Sequence, residues 1–174
     1  MTIGESIPVL GSWFRLHFIE NKGMAFGLSY GGNVGKLLLS LFRIVLVLFL
    51  IYYIHRLIKS RAPIGALIGI ALITVGALGN IFDCAFYGLL FSESTPLQVA
   101  QFLPEEGGYA PFLHGKVVDM LFFPLVETTL PAHFPIWGGK EFVFFRFIFN
   151  IADSCVTIGI SYLLIFQRSF FQKK

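Results

Sequence analysis

Three stretches of the chain are apolar for long enough to cross a bilayer, which takes about 20 helical residues. The first runs from Leu37 to Ile54, interrupted only by Ser40 and Arg43. The second, Ile64 to Phe82, is rich in small residues, with Gly65-x-x-x-Gly69 and Gly76-x-x-Gly79 spacings that suit close helix packing in lipid. The third and longest runs from Phe142 to Phe166. Ahead of them, Trp13 to Glu20 roughly alternates apolar and polar residues and predicts a strand. Asn21-Lys22-Gly23 is a turn signal, and Met24 to Leu28 reads as a returning strand. The stretch from Phe91 to Pro111, rich in Pro, Gly and Glu, predicts an irregular loop. Val117 to Val126 is apolar but too short to span, and reads as a surface-lying or re-entrant piece at the outer membrane face. The pattern predicts a mainly α membrane protein of one domain: an outer β segment over 1–36, transmembrane helices over 37–54, 64–82 and 142–166, and an outer loop over 84–141.

Composition agrees with that reading. The 174 residues are 56% hydrophobic and 13% charged, with 21 Phe, against about 25% charged in an average soluble domain. Disorder is excluded by the hydrophobicity, and too few polar residues remain to cover a soluble globule. A net charge of +3 is too small to imply a nucleic-acid partner. Cys84 and Cys155 make no disulfide framework, and His17, His55, His114 and His133 show no metal-ligand spacing. Basic residues set the orientation: His55 to Ala62 and Gln167 to Lys174 each hold three Lys or Arg and no acid, so both are expected on the cytoplasmic side. Residues 1–36 and 84–141 then lie outside. No signal-peptide pattern explains an outer N-terminal segment, so one more span is expected before Met1.

The acids sort by type. All seven Glu lie in or beside polar stretches, whereas Asp83, Asp119 and Asp153 lie in apolar surroundings. Ionisable groups within membrane segments are costly and usually functional. In the third span Arg146, Asn150, Asp153, Thr157 and Ser161 recur every three or four residues, which predicts one polar helical stripe facing protein or a wet cavity. Counting at 1.5 Å per residue, Asp153 lies roughly 21 Å from Gln167, and Asn80 and Asp83 lie about 24 and 28 Å from Ile64. Two polar pairs from two helices are thus expected at similar depth, with Asp119 able to join them. Asp153 fits either a structural acid paired with a base such as Arg146, or a relay carboxylate. Asp83 fits a hydrogen bond that anchors a helix end or loop, and Arg43 is expected to snorkel outward. The Phe-rich run from Phe142 to Phe149 reads as lipid contact and packing.

Four stretches carry a family resemblance: Asn21-Lys22-Gly23-Met24-Ala25-Phe26, Gly79-Asn80-Ile81-Phe82-Asp83, Val117-Val118-Asp119, and Phe149-Asn150-Ile151-Ala152-Asp153-Ser154. In composition, order and membrane position they resemble the motifs of the lipoprotein signal peptidases, signal peptidase II. The resemblance covers nearly the whole chain. It departs in three respects. The family has four spans, the first carrying an Asp and a Lys, and only three are read here. Cys84 stands where the family commonly has Arg. The stretches on either side of Asp119 are long.

The resemblance implies a transmembrane helix bundle with a small extracytoplasmic β-cradle, in the bacterial cytoplasmic (inner) membrane. It implies an aspartic endopeptidase that cuts prolipoproteins just before a diacylglyceryl-modified cysteine, with its active site near the extracytoplasmic face. Asp119 and Asp153 match the catalytic pair. Asn21, Gly23, Asn80, Asn150 and Arg146 match dyad-supporting or substrate-binding positions, and Asp83 a structural one. No metal or organic cofactor is implied. The implied partners are a prolipoprotein and membrane lipid, and the protein is expected to act as a monomer. Two alternatives stand beside it: a different intramembrane aspartyl protease, a class that lacks the first and last of these motifs, and a small transporter or channel subunit using Asp153 as a proton relay, which would string acids along a path rather than gather them at one depth.

Overall fold

The computed structural model describes residues 1–21, 32–132, 134–135 and 138–172. The expected strand from Met24 to Leu28, and Gly23 with it, lie outside the described residues. Two helices, α1 (Gly32–Lys59) and α2 (Ile64–Leu90), are long and apolar enough to cross a membrane. At 1.5 Å per residue each spans about 40 Å. Arg56 and Lys59 stand in the last turn of α1, where they complement the negative end of the helix dipole. Pro63 caps the start of α2 with extended backbone, a residue that cannot continue the preceding helix. α2 does not stop at Phe82. It continues through residues 84–90, so Asp83 sits within the helix and those residues do not belong to an outer loop.

The third apolar stretch divides. Phe142 to Phe149 is not helical: it contributes β5 (Glu141–Phe144) and β6 (Ile148–Phe149), and the helix begins only at Ile151 as α3 (Ile151–Phe166). Aromatic and branched residues suit a pleated strand better than a helix. Asn150 then starts α3 with a capping box: its side chain accepts from the Asp153 backbone N–H, and the Asp153 carboxylate accepts from the Asn150 N–H. The expected five-residue stripe is cut accordingly. Arg146 lies in the turn between β5 and β6, exposed, and Ser161 is exposed on α3. A short helix α4 (Arg168–Gln172) follows.

α2 and α3 pack through small residues. A Cβ on Gly69 would meet Leu163, one on Gly76 the backbone carbonyl of Ala152, and one on Gly159 the backbone of Gly69 and Ile73. This is the close approach that small-residue spacing permits. At the far end Gly65 faces Tyr162 and Gln167. The two helices therefore run antiparallel, and Arg56, Lys59 and Arg168 gather at the end away from the sheet.

That sheet has four strands in the order β1-β2-β3-β6, with β1 Ser6–Leu10, β2 Phe14–Asn21 and β3 Val117–Phe122, all antiparallel. The strand expected over Trp13 to Glu20 is β2. The expected surface-lying segment from Val117 is instead β3, an interior strand paired to β2 through Leu16↔Leu121 and to β6 through Leu121↔Phe149. β4 (Val126–Thr129) and β5 form a separate two-stranded ribbon, tied to β2 by Arg15, whose Nη1 and Nη2 donate to Glu127 at 3.2 and 2.7 Å.

The long loop between α2 and β3 is laid back on the helix. The Gly115 N–H donates to the Cys84 carbonyl at 2.8 Å and the Ala110 N–H to the Gly88 carbonyl at 3.0 Å. A side chain at Gly115 would collide with the α2 backbone at Asp83 and Gly88. Lys116 pins the loop to the sheet: its Nζ donates to Glu20 at 2.7 Å and to Glu93 at 3.4 Å, and stands 5.1 Å from the Tyr109 ring centre. The Glu20 side chain is 6% exposed, against 37% for Glu127. Lys116→Ala is therefore expected to cost about 1–3 kcal/mol, because it strands a buried carboxylate. Arg15→Ala should cost under ~1 kcal/mol, as exposed pairs do. Thermal unfolding of the two variants in the same detergent checks the order.

Candidate active site

Three elements converge at the sheet end of the helices. β3 brings Asp119, 4% exposed, onto the face it shares with Asn21 of β2. α2 brings Asn80, and the start of α3 brings Asn150 and Asp153. Asn150 is the hub. Its Nδ2 donates to Asp119 Oδ1 at 2.9 Å and to Asn80 Oδ1 at 3.1 Å, while its Oδ1 accepts from the Asp153 N–H at 2.9 Å. Both amide protons and the amide oxygen are engaged, which fixes the orientation of the group. Asn80 Nδ2 donates to Asp153 Oδ1 at 2.9 Å, and the Asn150 N–H reaches Asp153 Oδ2 at 3.4 Å. Asn21 Nδ2 reaches Asp119 Oδ2 at 3.4 Å. Two carboxylates from a strand and a helix are thus linked by a ring of asparagines, which can donate to both and compete with neither for charge.

The two acids sit in unlike settings. Asp153 occupies the first turn of α3, where its carboxylate accepts from the Asn150 backbone N–H and from Asn80 Nδ2. Asp119 lies in mid-strand and meets the start of α3 only through the side chain of its cap residue, Asn150. Burial, and next the negative charge of Asp153, raise its pKa from 3.8 to about 6, against the opposing hydrogen bonds from Asn21 and Asn150. Asp83 stands one turn beyond Asn80 on α2 and accepts from the Val118 N–H at 3.4 Å, so it fastens β3 to the helix next to Asp119.

An apolar cavity of about 400 Å³ adjoins Asp153, lined by Phe145, Phe147, Phe149, Ser154, Thr157 and Ile158. Thr157 of the expected stripe therefore faces this cavity. Phe145 turns the chain here with a φ of 64°, an uncommon conformation for a bulky residue.

The residues expected at the site divide as follows. Asn21, Asn80, Asp119, Asn150 and Asp153 come together. Arg146 does not join them and has no hydrogen bond or ion pair among the described residues. Arg43 does not snorkel outward: it is half-buried against α2, its Nη1 3.9 Å from Cys84 Sγ. Cys84 follows Asp83 directly, so the arginine of α1 stands beside the helix face that anchors β3. The sequence carried no direct signal for that contact, which depends on how α1 and α2 cross. The cavity wall at Phe145 and Phe147 was hidden inside an apparent helix. No group of three or more metal-binding side chains forms among the described residues.

Comparison with known proteins places the chain in a family. The family model for signal peptidase (SPase) II matches residues 1–170. The lipoprotein signal peptidase of Porphyromonas gingivalis is 49% identical over 166 residues, covering 95% of this chain and 71% of that protein. The lipoprotein signal peptidase of Amoebophilus asiaticus is 32% identical over 173 residues, covering 99% of this chain and 68% of that protein. In fold, the chain resembles a bacterial membrane enzyme solved by the in meso method at 2.3 Å resolution, with a TM-score of 0.57 at 23% identity, covering 100% of this chain and 77% of that one.

Proposed function

The chain belongs to the signal peptidase II family, whose members cleave the signal peptides of prolipoproteins, and from that premise we propose that Asp119 and Asp153 do the cutting as an acid–base pair, just before a lipid-modified cysteine. The observation that carries the reading is the Asn150 bridge, which holds the two carboxylates in one hydrogen-bonded unit. Like charges this closely linked do not both ionise easily, so the pair shares a proton. The unlike settings supply the division of labour. Asp153, at a helix N-terminus, is the ionised partner that takes a proton from water. Asp119 keeps the proton, polarises the scissile carbonyl and later protonates the leaving amine. Asn80 and Asn150 hold Asp153 toward the reacting water, and Asn21 ties Asp119 to the strand edge.

The apolar cavity beside Asp153 suits the substrate's lipid. A diacylglyceryl chain lying against Phe147 and Ile158 would hold the modified cysteine at the carboxylates while staying within the bilayer. Arg56, Lys59 and Arg168 lie at the end away from the sheet, which supports an active site near the extracytoplasmic face of the inner membrane. Asp83, Asp119 and Asp153 gather at the sheet end of the helices. A proton relay would space its acids along them.

Protein in lipid nanodiscs, given a diacylglyceryl-modified prolipoprotein and its unmodified form, should cleave the first and spare the second, with or without EDTA. Equal cleavage of both would remove the lipid from the recognition step. The pH dependence follows from Asp119. Its proton is present well below about 6 and lost as pH rises through that value, so kcat/KM should decline on the basic side with an apparent pKa that belongs to the pair. A profile flat across that range would argue against a shared proton.

A further inference from the structure

The β4–β5 ribbon has two unlike faces. In its register Val126 pairs with Phe144 and Thr128 with Phe142, while Glu127 pairs with Val143 and Thr129 with Glu141. Directly paired residues share a face and neighbours along a strand alternate. One face therefore carries Val126, Phe142 and Phe144, which are 48%, 44% and 55% exposed, together with Thr128. The other carries Glu127, which is engaged by Arg15, and Glu141, together with Thr129 and the half-buried Val143. Two strands of four residues seldom hold together in water without an apolar surface to pack on, and an exposed apolar face of this kind marks a contact site.

We propose that the apolar face of this ribbon rests in the bilayer, in the leaflet on the side of the catalytic sheet. Continuity argues for lipid as the occupant. Phe144 leads within a few residues to Asn150 and to Ile151, which is 73% exposed at the start of the apolar helix α3, so the ribbon extends the same apolar surface sideways from the helix end. Charge argues the same way. Lys140 just before β5 and Arg146 just beyond its end are both exposed, and basic side chains beside exposed aromatics suit the phosphate level of a membrane. Both Phe on one face and both carboxylates on the other is the pattern of an interfacial segment. The ribbon would then hold the apolar cavity beside Asp153 at bilayer depth, where a lipidated substrate arrives. That consequence rests on the proposed function. The seating of the ribbon does not.

The test is depth-dependent fluorescence quenching of the full chain in nanodiscs, with Trp13→Phe and Trp137→Phe removing the native tryptophans. Phe144→Trp should be quenched several-fold more by lipids brominated near the headgroup end of their chains than by aqueous iodide. Glu141→Trp, on the opposite face, should show the reverse. Phe142→Trp repeats the first measurement if Phe144→Trp does not fold. Equal iodide quenching at both faces would mean that the ribbon stands in water and would overturn the proposal. Shielding of Phe144→Trp from iodide and lipid alike would also overturn it, since a second copy of the chain would then cover the face. The measurement reads no cleavage, so it stands or fails separately from the assignment of the aspartates.

Discussion

Asp119→Asn is expected to lose nearly all cleavage and, at neutral pH, to leave the protein at least as stable as wild type. The first half follows from the proposed chemistry. An amide cannot hold the proton that the scissile carbonyl and leaving amine require, and loss of a positioned acid or base typically costs 10²- to 10⁴-fold, so a fall of about a thousandfold or more is expected. Asp153→Asn should fall as far, because groups that act as a unit fail as a unit. The second half follows from linkage. The folded-state pKa of Asp119 is raised from 3.8 to about 6. Its contribution to stability is therefore fully present below the unfolded value and lost as pH rises through the folded one. At neutral pH wild type has already lost that contribution, and asparagine never incurs the loss. An inert variant with an unchanged or higher midpoint of thermal unfolding separates a catalytic acid from a structural one. Retained cleavage in either variant would sink the paired assignment, and a steep fall in stability at pH 7 for Asp119→Asn would mean that the carboxylate holds the sheet together.

Much of this arrangement was legible in the chain because its signals are local. The apolar runs gave α1 and most of α2, and alternation gave β2. The sorting of Asp from Glu singled out the three acids that gather beside the sheet. Where reading failed, the deciding information was not periodic. Phe142 to Phe149 is as apolar as the helix that follows, so hydropathy ran the two together. The Asn150-x-x-Asp153 spacing of a capping box marked the true start of α3, yet the same two residues also fitted a polar helical stripe. β3 is apolar on both faces except at Asp119 because it lies inside the sheet and is fastened to α2, and a short apolar run without alternation has no unique reading. The inward turn of Arg43 toward Cys84 is a matter of tertiary packing, invisible to any rule of snorkelling. The site itself was legible for a different reason. Its asparagines and aspartates come from several elements, but all except Asn21 are polar in an apolar stretch, and such residues must find one another or find water.

The helix pair that carries Asn80 and Asp153 offers the second large effect. A Cβ on Gly76 would lie against the backbone carbonyl of Ala152 and only 2.7 Å from Val156 Cγ2, whereas one on Gly79 would meet only the Ala152 Cβ, at 3.0 Å. The first obstruction is largely backbone and does not yield to a rotamer change. The second is a single methyl. Gly76→Ala must push α2 and α3 apart next to the site, where overpacking costs about 1–3 kcal/mol and a displacement of about 1 Å can cost 10²-fold in rate. The 2.9 Å hydrogen bond from Asn80 to Asp153 spans these same two helices, so cleavage should fall further than stability alone would explain. Gly79→Ala should be milder on both counts. The contrast extends to rescue. Removing the Ala152 methyl with Ala152→Gly should restore most of the activity of Gly79→Ala, even though the added glycine carries its own helix penalty of about 1 kcal/mol. The same change should leave Gly76→Ala defective, because the carbonyl it meets remains. Cleavage rates and unfolding midpoints of the two single variants and the two double variants check this. Equal rescue of both would mean that the helices approach through side chains alone, and that the spacing of Asn80 from Asp153 is not set by backbone contact at Gly76.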